Sequence, residues 1–470
     1  MLRQLRARIP EALALLLGVL LRISMAITHD ARTGFDFNCH WPYINYVASH
    51  HALAPLTLCA VSYHPPLYHV LAAALVNLGL GPGALAWFSV LLGILQLIVV
   101  WIGLERWLPE SRLARVVALF TAAVLPASVQ LDGMITNEPL NTLICALALV
   151  AAPAAIQGLR EGRIAPTARL AVWLGIALIT KISGTVLVVG LLIAIVVDVA
   201  RGPQPWREAW RIRWKPLAVG ASLLFALSGW FFIRNQALYG LFAPTGYDGT
   251  LKINQEPYEK IPYLQRRHLS FFLGWSPAVF VYPYAPSGYV PEPHFFPVMV
   301  ASTFSDFYLY DFPARDAHTP TVGPHRRPIP RLAFYLSCLS TIGGTVLAAL
   351  AFAAWIGSLR AMKRRPADPR LVLLLLPPLA ILGQMHFSTK YPDDDFGTIK
   401  GTYVQFVAPI LCGLFGLAVA WMWRRARARA GAVVALAALG LVALYTIDCR
   451  LPRFGPGASG AAPFLAAGKR

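Results

Sequence analysis

The stretch from Ala86 to Leu104, AWFSVLLGILQLIVVWIGL, carries no charged side chain, and its polar residues are Ser89 and Gln96. A helix of that length, rising about 1.5 Å per residue, crosses a hydrocarbon core of about 30 Å. Comparable runs recur near 10–28, 112–130, 138–156, 166–180, 182–200, 216–235, 331–358, 370–387, 403–423 and 430–447. Across 470 residues the chain is 57% hydrophobic and only 13% charged, with a mean hydropathy of +0.57. Lipid leaves no partner for unpaired backbone groups, and none of these runs alternates as a barrel strand does, so the spans are helices. The expected fold class is therefore all-α: a polytopic integral membrane protein of about eleven transmembrane helices with added juxtamembrane helices. No repeat of fixed period stands out, and residues 1–470 read as a single membrane domain.

The formal net charge of +19 suggests nucleic acid at first sight, but the placement of the cations excludes it. They fall in short clusters between the runs: Arg3, Arg6 and Arg8; Arg106, Arg112 and Arg115; Arg160, Arg163 and Arg169; Arg201, Arg207, Arg211, Arg213 and Lys215; Arg360, Lys363, Arg364, Arg365 and Arg370; Arg424, Arg425, Arg427 and Arg429. Cytoplasmic loops of membrane proteins carry this bias. The run from Pro10 to Thr28 lacks a small-residue cleavage site and reads as a retained anchor. A further apolar stretch at 66–81 is short for a span, and a full crossing there would move the Arg201–Lys215 cluster outside. It is expected to be a short helix that does not cross, leaving the N-terminus inside and the C-terminus outside.

This topology gathers the chemistry-bearing residues on the outer side. The first outer loop, 29–65, holds Phe35-Asp36-Phe37-Asn38-Cys39-His40 and closes on Tyr63-His64-Pro65-Pro66-Leu67-Tyr68. Ionisable groups beside a bilayer are costly unless they bind or react. Asp36, with Asp30 in reserve, is expected to be partly buried against Phe35, Phe37 and Trp41; it also reads as the N-cap of a helix from His40 to His50. Glu138, with Asp132 as its neighbouring alternative, opens a span, where an acid complements the helix dipole. Lys181, Arg234 and Lys400 mark the outer ends of three helices, either snorkelling to headgroups or converging on an anion. His40, His64 and Asp36 offer ligand types for a divalent metal, as does Asp393-Asp394-Asp395. Cys39 and Cys59 share the first loop and can pair in an oxidising compartment. The long outer loop, 236–330, is rich in aromatics, among them Trp275, Tyr282, Tyr284, Phe295, Phe296, Phe304, Phe307, Tyr308 and Tyr310, and is expected to form short interfacial helices.

The order of these features resembles the GT-C superfamily of glycosyltransferases, more narrowly the protein O-mannosyltransferase and aminoarabinose-transferase-like group. That group places an acid in the first outer loop, here Asp36, and ends the loop in a (His/Tyr)-Pro-Pro-Leu motif, here His64-Pro65-Pro66-Leu67. A second acidic site corresponds to Asn137-Glu138; Thr180-Lys181, Trp230 with Arg234-Asn235, and Lys400-Gly401-Thr402-Tyr403 resemble further recurrent segments. Many relatives carry paired acids in the first loop, whereas Phe37 follows Asp36 here. The absence of a large outer C-terminal domain argues against N-glycosylation. The resemblance implies an inverting transferase that moves a sugar from a polyprenyl-phosphate donor to a lipid, glycan or protein acceptor. Such a reaction needs a base, for which Asp36 is the candidate, and cations around the leaving phosphate. Glu138 then acts in catalysis beside it, and His64, Lys181, Arg234, Lys400 and Tyr403 bind substrate. The implied location is a cytoplasmic membrane, if the source is bacterial, with the catalytic face outside. The reading from another class is a transporter or flippase of lipid-linked saccharides, which inverted repeats and broken helices would signal.

Overall fold

The computed structural model describes residues 2–32, 34–202, 204–245, 260–281, 283, 294–308, 331–362, 368–392 and 398–451. All regular structure among them is helical: α1 (Leu2–Thr28), α2 (Phe37–His50), α3 (Leu67–Asn77), α4 (Pro82–Trp107), α5 (Arg112–Val124), α6 (Pro126–Leu131), α7 (Glu138–Arg160), α8 (Ile164–Thr180), α9 (Gly184–Arg201), α10 (Trp206–Tyr239), α11 (Leu269–Leu273), α12 (Ala278–Val281), α13 (Phe295–Phe304), α14 (Arg331–Met362), α15 (Leu371–Lys390), α16 (Ala408–Arg424) and α17 (Arg429–Arg450). Among the described residues, 9 helical stretches are long and apolar enough to cross a membrane. Two more complete the expected set. One is α8, of 17 residues; the other is α5 continued by α6, broken where Leu125 turns extended (φ −64°, ψ 114°) ahead of Pro126. Proline drives the residue before it out of the helical region, so the crossing bends at that point. The aromatic loop supplies the short helices α11, α12 and α13; Tyr282, Tyr284 and Tyr310 lie outside the described residues.

Ion pairs fix which helix ends lie together. Arg8 of α1 meets Glu105 near the end of α4 at 3.4 Å, and Arg112 at the start of α5 meets Glu11 of α1 at 3.3 Å. Arg370, leading into α15, reaches Glu110 at 3.5 Å and donates to the Trp107 carbonyl at 3.0 Å. Asp198 on α9 accepts from Arg160 of α7 at 2.8 Å and from Arg213 of α10 at 2.9 Å. Arg8, Arg112 and Arg370 thus share one end of the bundle, and Arg160 and Arg213 meet on Asp198. Because α1 begins and α4 finishes at that end, everything from 29 to 81 lies at the opposite one. The 11 residues of α3 reach about 16 Å, half a hydrocarbon core, and do not cross.

Deep between α1 and α6, Arg22 donates to Asp132 at 2.7 Å, both side chains nearly excluded from solvent. Gly93 of α4 makes room for the pair, since a Cβ there would stand 2.2 Å from the Asp132 carboxyl carbon. A buried charge is tolerated when it is paired, and this pairing pins the connection from α6 to Glu138.

Candidate functional site

Asp36 precedes α2 with φ +57°, in the left-handed region. Its carbonyl accepts from Cys39 and His40 at 2.9 and 2.8 Å, which starts the helix, while its carboxylate makes no cap bond. Contrary to the expectation of partial burial, the side chain is exposed. The capping role is likewise not taken. Aspartate tolerates the left-handed region better than most residues, at a cost of about 1–3 kcal/mol that the surroundings must hold. Aromatic contacts on each side do so: Phe35 packs edge-on against Tyr308 at 5.7 Å, and Phe37 stacks on Trp41 at 6.3 Å. The Cys39–Cys59 disulfide ties α2 to the remainder of the loop. The reserve acid Asp30 is used locally, accepting from the Arg32 backbone at 2.9 Å.

The second acidic position comes with a partner that sequence reading kept separate from it. Lys181, just past α8, forms an ion pair with Glu138 at the first position of α7; they are 6% and 5% exposed. Asn137 donates to the Thr180 carbonyl at 3.3 Å, holding the two helix ends in register. The Lys181 ammonium also stands 5.1 Å from the Tyr403 ring, and Lys400 stands 5.7 Å from that same ring. Lys400 lies in addition 5.0 Å from Phe35 and 5.5 Å from Tyr308. Both lysines are therefore buried among aromatic faces instead of snorkelling outward. Gly401 makes this placement possible: its N–H donates to Ser302 at 2.8 Å, and a Cβ would fall 3.0 Å from the Thr303 Cα. The expected third cation is elsewhere. Half-buried Arg234 bonds Asn235 at 3.2 Å and faces Tyr239 at 5.9 Å, whereas the cations that share the Tyr403 ring are the two lysines.

Buried histidines line the loop beside this cluster. His40 Nδ1 lies 2.9 Å from His69 Nε2, and His40 Nε2 lies 3.3 Å from the Thr136 hydroxyl. In one neutral tautomer set, His40 donates to His69 and accepts from Thr136. Burial, with the Lys181 charge adding to it, pushes His40 down to about 3, and the same causes hold His64 well below the usual histidine range. The rings of His40 and His64 stack 6.0 Å apart, and His64 Nδ1 finds no hydrogen-bond partner among the described residues. As metal ligands they do not fit: among the described residues no group of three or more His, Cys, Asp or Glu is arranged to hold an ion. Asp393-Asp394-Asp395 lies outside the described residues.

Sequence reading missed His69, Thr136 and the role of Tyr63. Tyr63 is half-buried; burial first, then the charges of Tyr403, Asp36, Tyr391 and Glu138, raises its phenol well above the usual tyrosine range, leaving it a hydrogen-bond donor. His69, two residues beyond the Pro-Pro-Leu motif, carried a weak signal as one more histidine next to a loop that already holds five.

No family model matches the chain, and no curated protein matches it in sequence. Solved structures do. The chain superposes on ArnT from Cupriavidus metallidurans in the apo state with a TM-score of 0.51 and 14% identity, over 96% of this chain and 76% of that one. The same protein bound to undecaprenyl phosphate gives 0.48 and 16%, over 94% and 74%. An Archaeoglobus fulgidus oligosaccharyltransferase in complex with Zn and sulfate gives 0.52 and 15%, over 93% of this chain but 53% of that one. At such identities the likeness is one of fold. The chain is an all-α polytopic membrane protein that shares its fold with ArnT and with the archaeal oligosaccharyltransferase.

Proposed function

We propose that the chain is an inverting glycosyltransferase that moves a sugar from a polyprenyl-phosphate donor to an acceptor hydroxyl or amine. The observation that carries this reading is an exposed carboxylate, Asp36, on backbone held at positive φ, next in sequence to Phe35 whose ring meets the buried Lys400, at the bundle end that also holds the Glu138–Lys181 pair. The acceptor gives its proton to Asp36 as its oxygen or nitrogen attacks the anomeric carbon. The bond from that carbon to the phosphate oxygen breaks, and its electrons leave with the polyprenyl phosphate. Lys400 meets the charge that develops on the phosphate. Glu138 holds the Lys181 ammonium in place and orients the acceptor, while Tyr403, His64 and the Tyr63 phenol line the sugar. Support for the donor class comes from the motif resemblance and from ArnT, a protein of this fold that has been seen with undecaprenyl phosphate. The positive-inside bias supports a site on the outer face of the membrane.

The test supplies purified protein with defined polyprenyl-phosphate sugars and follows their consumption. Wild type turns one of them over. Asp36→Asn lowers turnover by about 10²–10⁴-fold while donor binding persists, and near-normal turnover in that variant removes the base assignment.

A further inference from the structure

The helix α10 contains 34 residues. At about 1.5 Å each it extends roughly 51 Å, about 20 Å more than the hydrocarbon core it crosses. Its apolar section begins near 216, so residues 206–215, WREAWRIRWK, emerge into the headgroup layer at the basic end. Ala209, Arg213, Pro216 and Gly220 are buried and mark the inward face. Arg213 on that face is committed to Asp198 at 2.9 Å.

Six of the other residues of this stretch fall in two adjoining lines at a spacing of four, and exposed Glu208 with Ile212 continues round the helix beyond the second line. Trp206, Trp210 and Trp214 form one, with Trp206 and Trp214 53% and 54% exposed and the Trp206 and Trp210 rings 5.5 Å apart. Arg207, Arg211 and Lys215, all exposed, form the next, one residue or about 100° further round the helix. Lys215 lies 5.7 Å from the Trp214 ring, joining the lines at their membrane end. Among the described residues no ion pair joins a carboxylate to Arg207, Arg211 or Lys215: Asp198 already holds Arg160 and Arg213, and Glu208, one acid against three cations on this stretch, leaves the surface net positive.

We propose that this double line is a binding site for anionic phospholipid headgroups, in the leaflet opposite the candidate active site. Cations about 6 Å apart along one ridge of a helix meet successive headgroup phosphates, and the indoles beside them rest at the depth where their apolar bodies and N–H groups are both satisfied. The membrane depth of the lines and their indole flank select a lipid over a soluble polyanion.

The test uses native mass spectrometry of the full chain in detergent, titrated with phosphatidylglycerol or phosphatidylcholine. Wild type retains phosphatidylglycerol in preference, and raising the salt tenfold weakens that retention. With each juxtamembrane cation contributing about fivefold, the variant Arg207→Gln, Arg211→Gln, Lys215→Gln binds phosphatidylglycerol at least tenfold more weakly. A control that removes three other exposed cations of the same end, Arg169→Gln, Arg201→Gln, Arg360→Gln, loses clearly less, because these stand on three separate helices and share no ridge with one another or with the indoles. Trp206→Leu with Trp214→Leu keeps the cations and loses part of the preference. Equal losses in the two triple variants reduce the lines to general positive charge and overturn the proposal, as does wild-type retention in the first. Neither result touches the assignment of Asp36, which lies at the other end of the bundle.

Discussion

Glu138 and Lys181 are almost excluded from water, so neither can lose its partner without leaving an uncompensated charge. Lys181→Met should therefore destabilise the protein by about 3 kcal/mol or more. Adding Glu138→Gln to it should restore most of the melting temperature while turnover stays low. Thermal unfolding of the two variants in detergent checks this, and a double variant no more stable than the single one removes the pairing as the cause. Lys400 is set among the rings of Phe35, Tyr308 and Tyr403. Lys400→Gln should raise the donor KM by about tenfold or more, the worth of a charge-assisted contact of roughly 1.5–3 kcal/mol, with acceptor saturating. Arg234→Gln should change it less, because that guanidinium lies with Asn235 and Tyr239. Initial rates against donor concentration separate the two.

At the scale of the element, α2 and α3 meet through the contact of His40 with His69, and His64 in the loop between them stacks on His40. His40 and His64 are neutral in the fold, their proton affinity lowered mainly by burial. In the unfolded chain they take up protons below about pH 6.5, so there the unfolded state binds more protons than the folded one. Stability from this source is complete above about pH 6.5 and is lost as pH falls from there, for His40 down to about 3 and for His64 in the same direction, by up to about 1.4 kcal/mol per unit for each histidine. Melting temperatures should drop across pH 6.5 to 4.5, and His40→Gln should flatten the slope; an unchanged slope in that variant would falsify the account. The turn at Gly401 is a second test at this scale. Gly401→Ala drives a methyl toward the Thr303 backbone, displaces Lys400 and should lower turnover along with stability.

For the whole molecule, sidedness is the decisive question. In a background lacking Cys145, Cys338, Cys412 and Cys449, cysteines at the exposed positions Ser49 and Gly81 should react with an impermeant reagent from the outer face, and one at Arg427 should not. Ser49 and Gly81 flank α3, so opposite labelling of these two would mean that α3 crosses and that the site is divided. The run of apolar segments, the clustering of cations and the short stretch at 66–81 determined the all-α class, the number of crossings and a common end for the acids and histidines. Those are one-dimensional properties, because lipid requires each span to satisfy its own backbone and charge bias is read loop by loop. The sequence also singled out Asp36, Glu138, Lys181 and Lys400 one at a time. Only the tertiary structure decided that Glu138 and Lys181 form a pair, that Lys400 lies with Phe35 and Tyr403 while Arg234 stands apart, and that His40 is bonded to His69. Each of these depends on which helix ends pack together, and residues 43 or 365 positions apart, as Glu138 and Lys181 or Phe35 and Lys400 are, leave no mark of their contact in local spacing or composition.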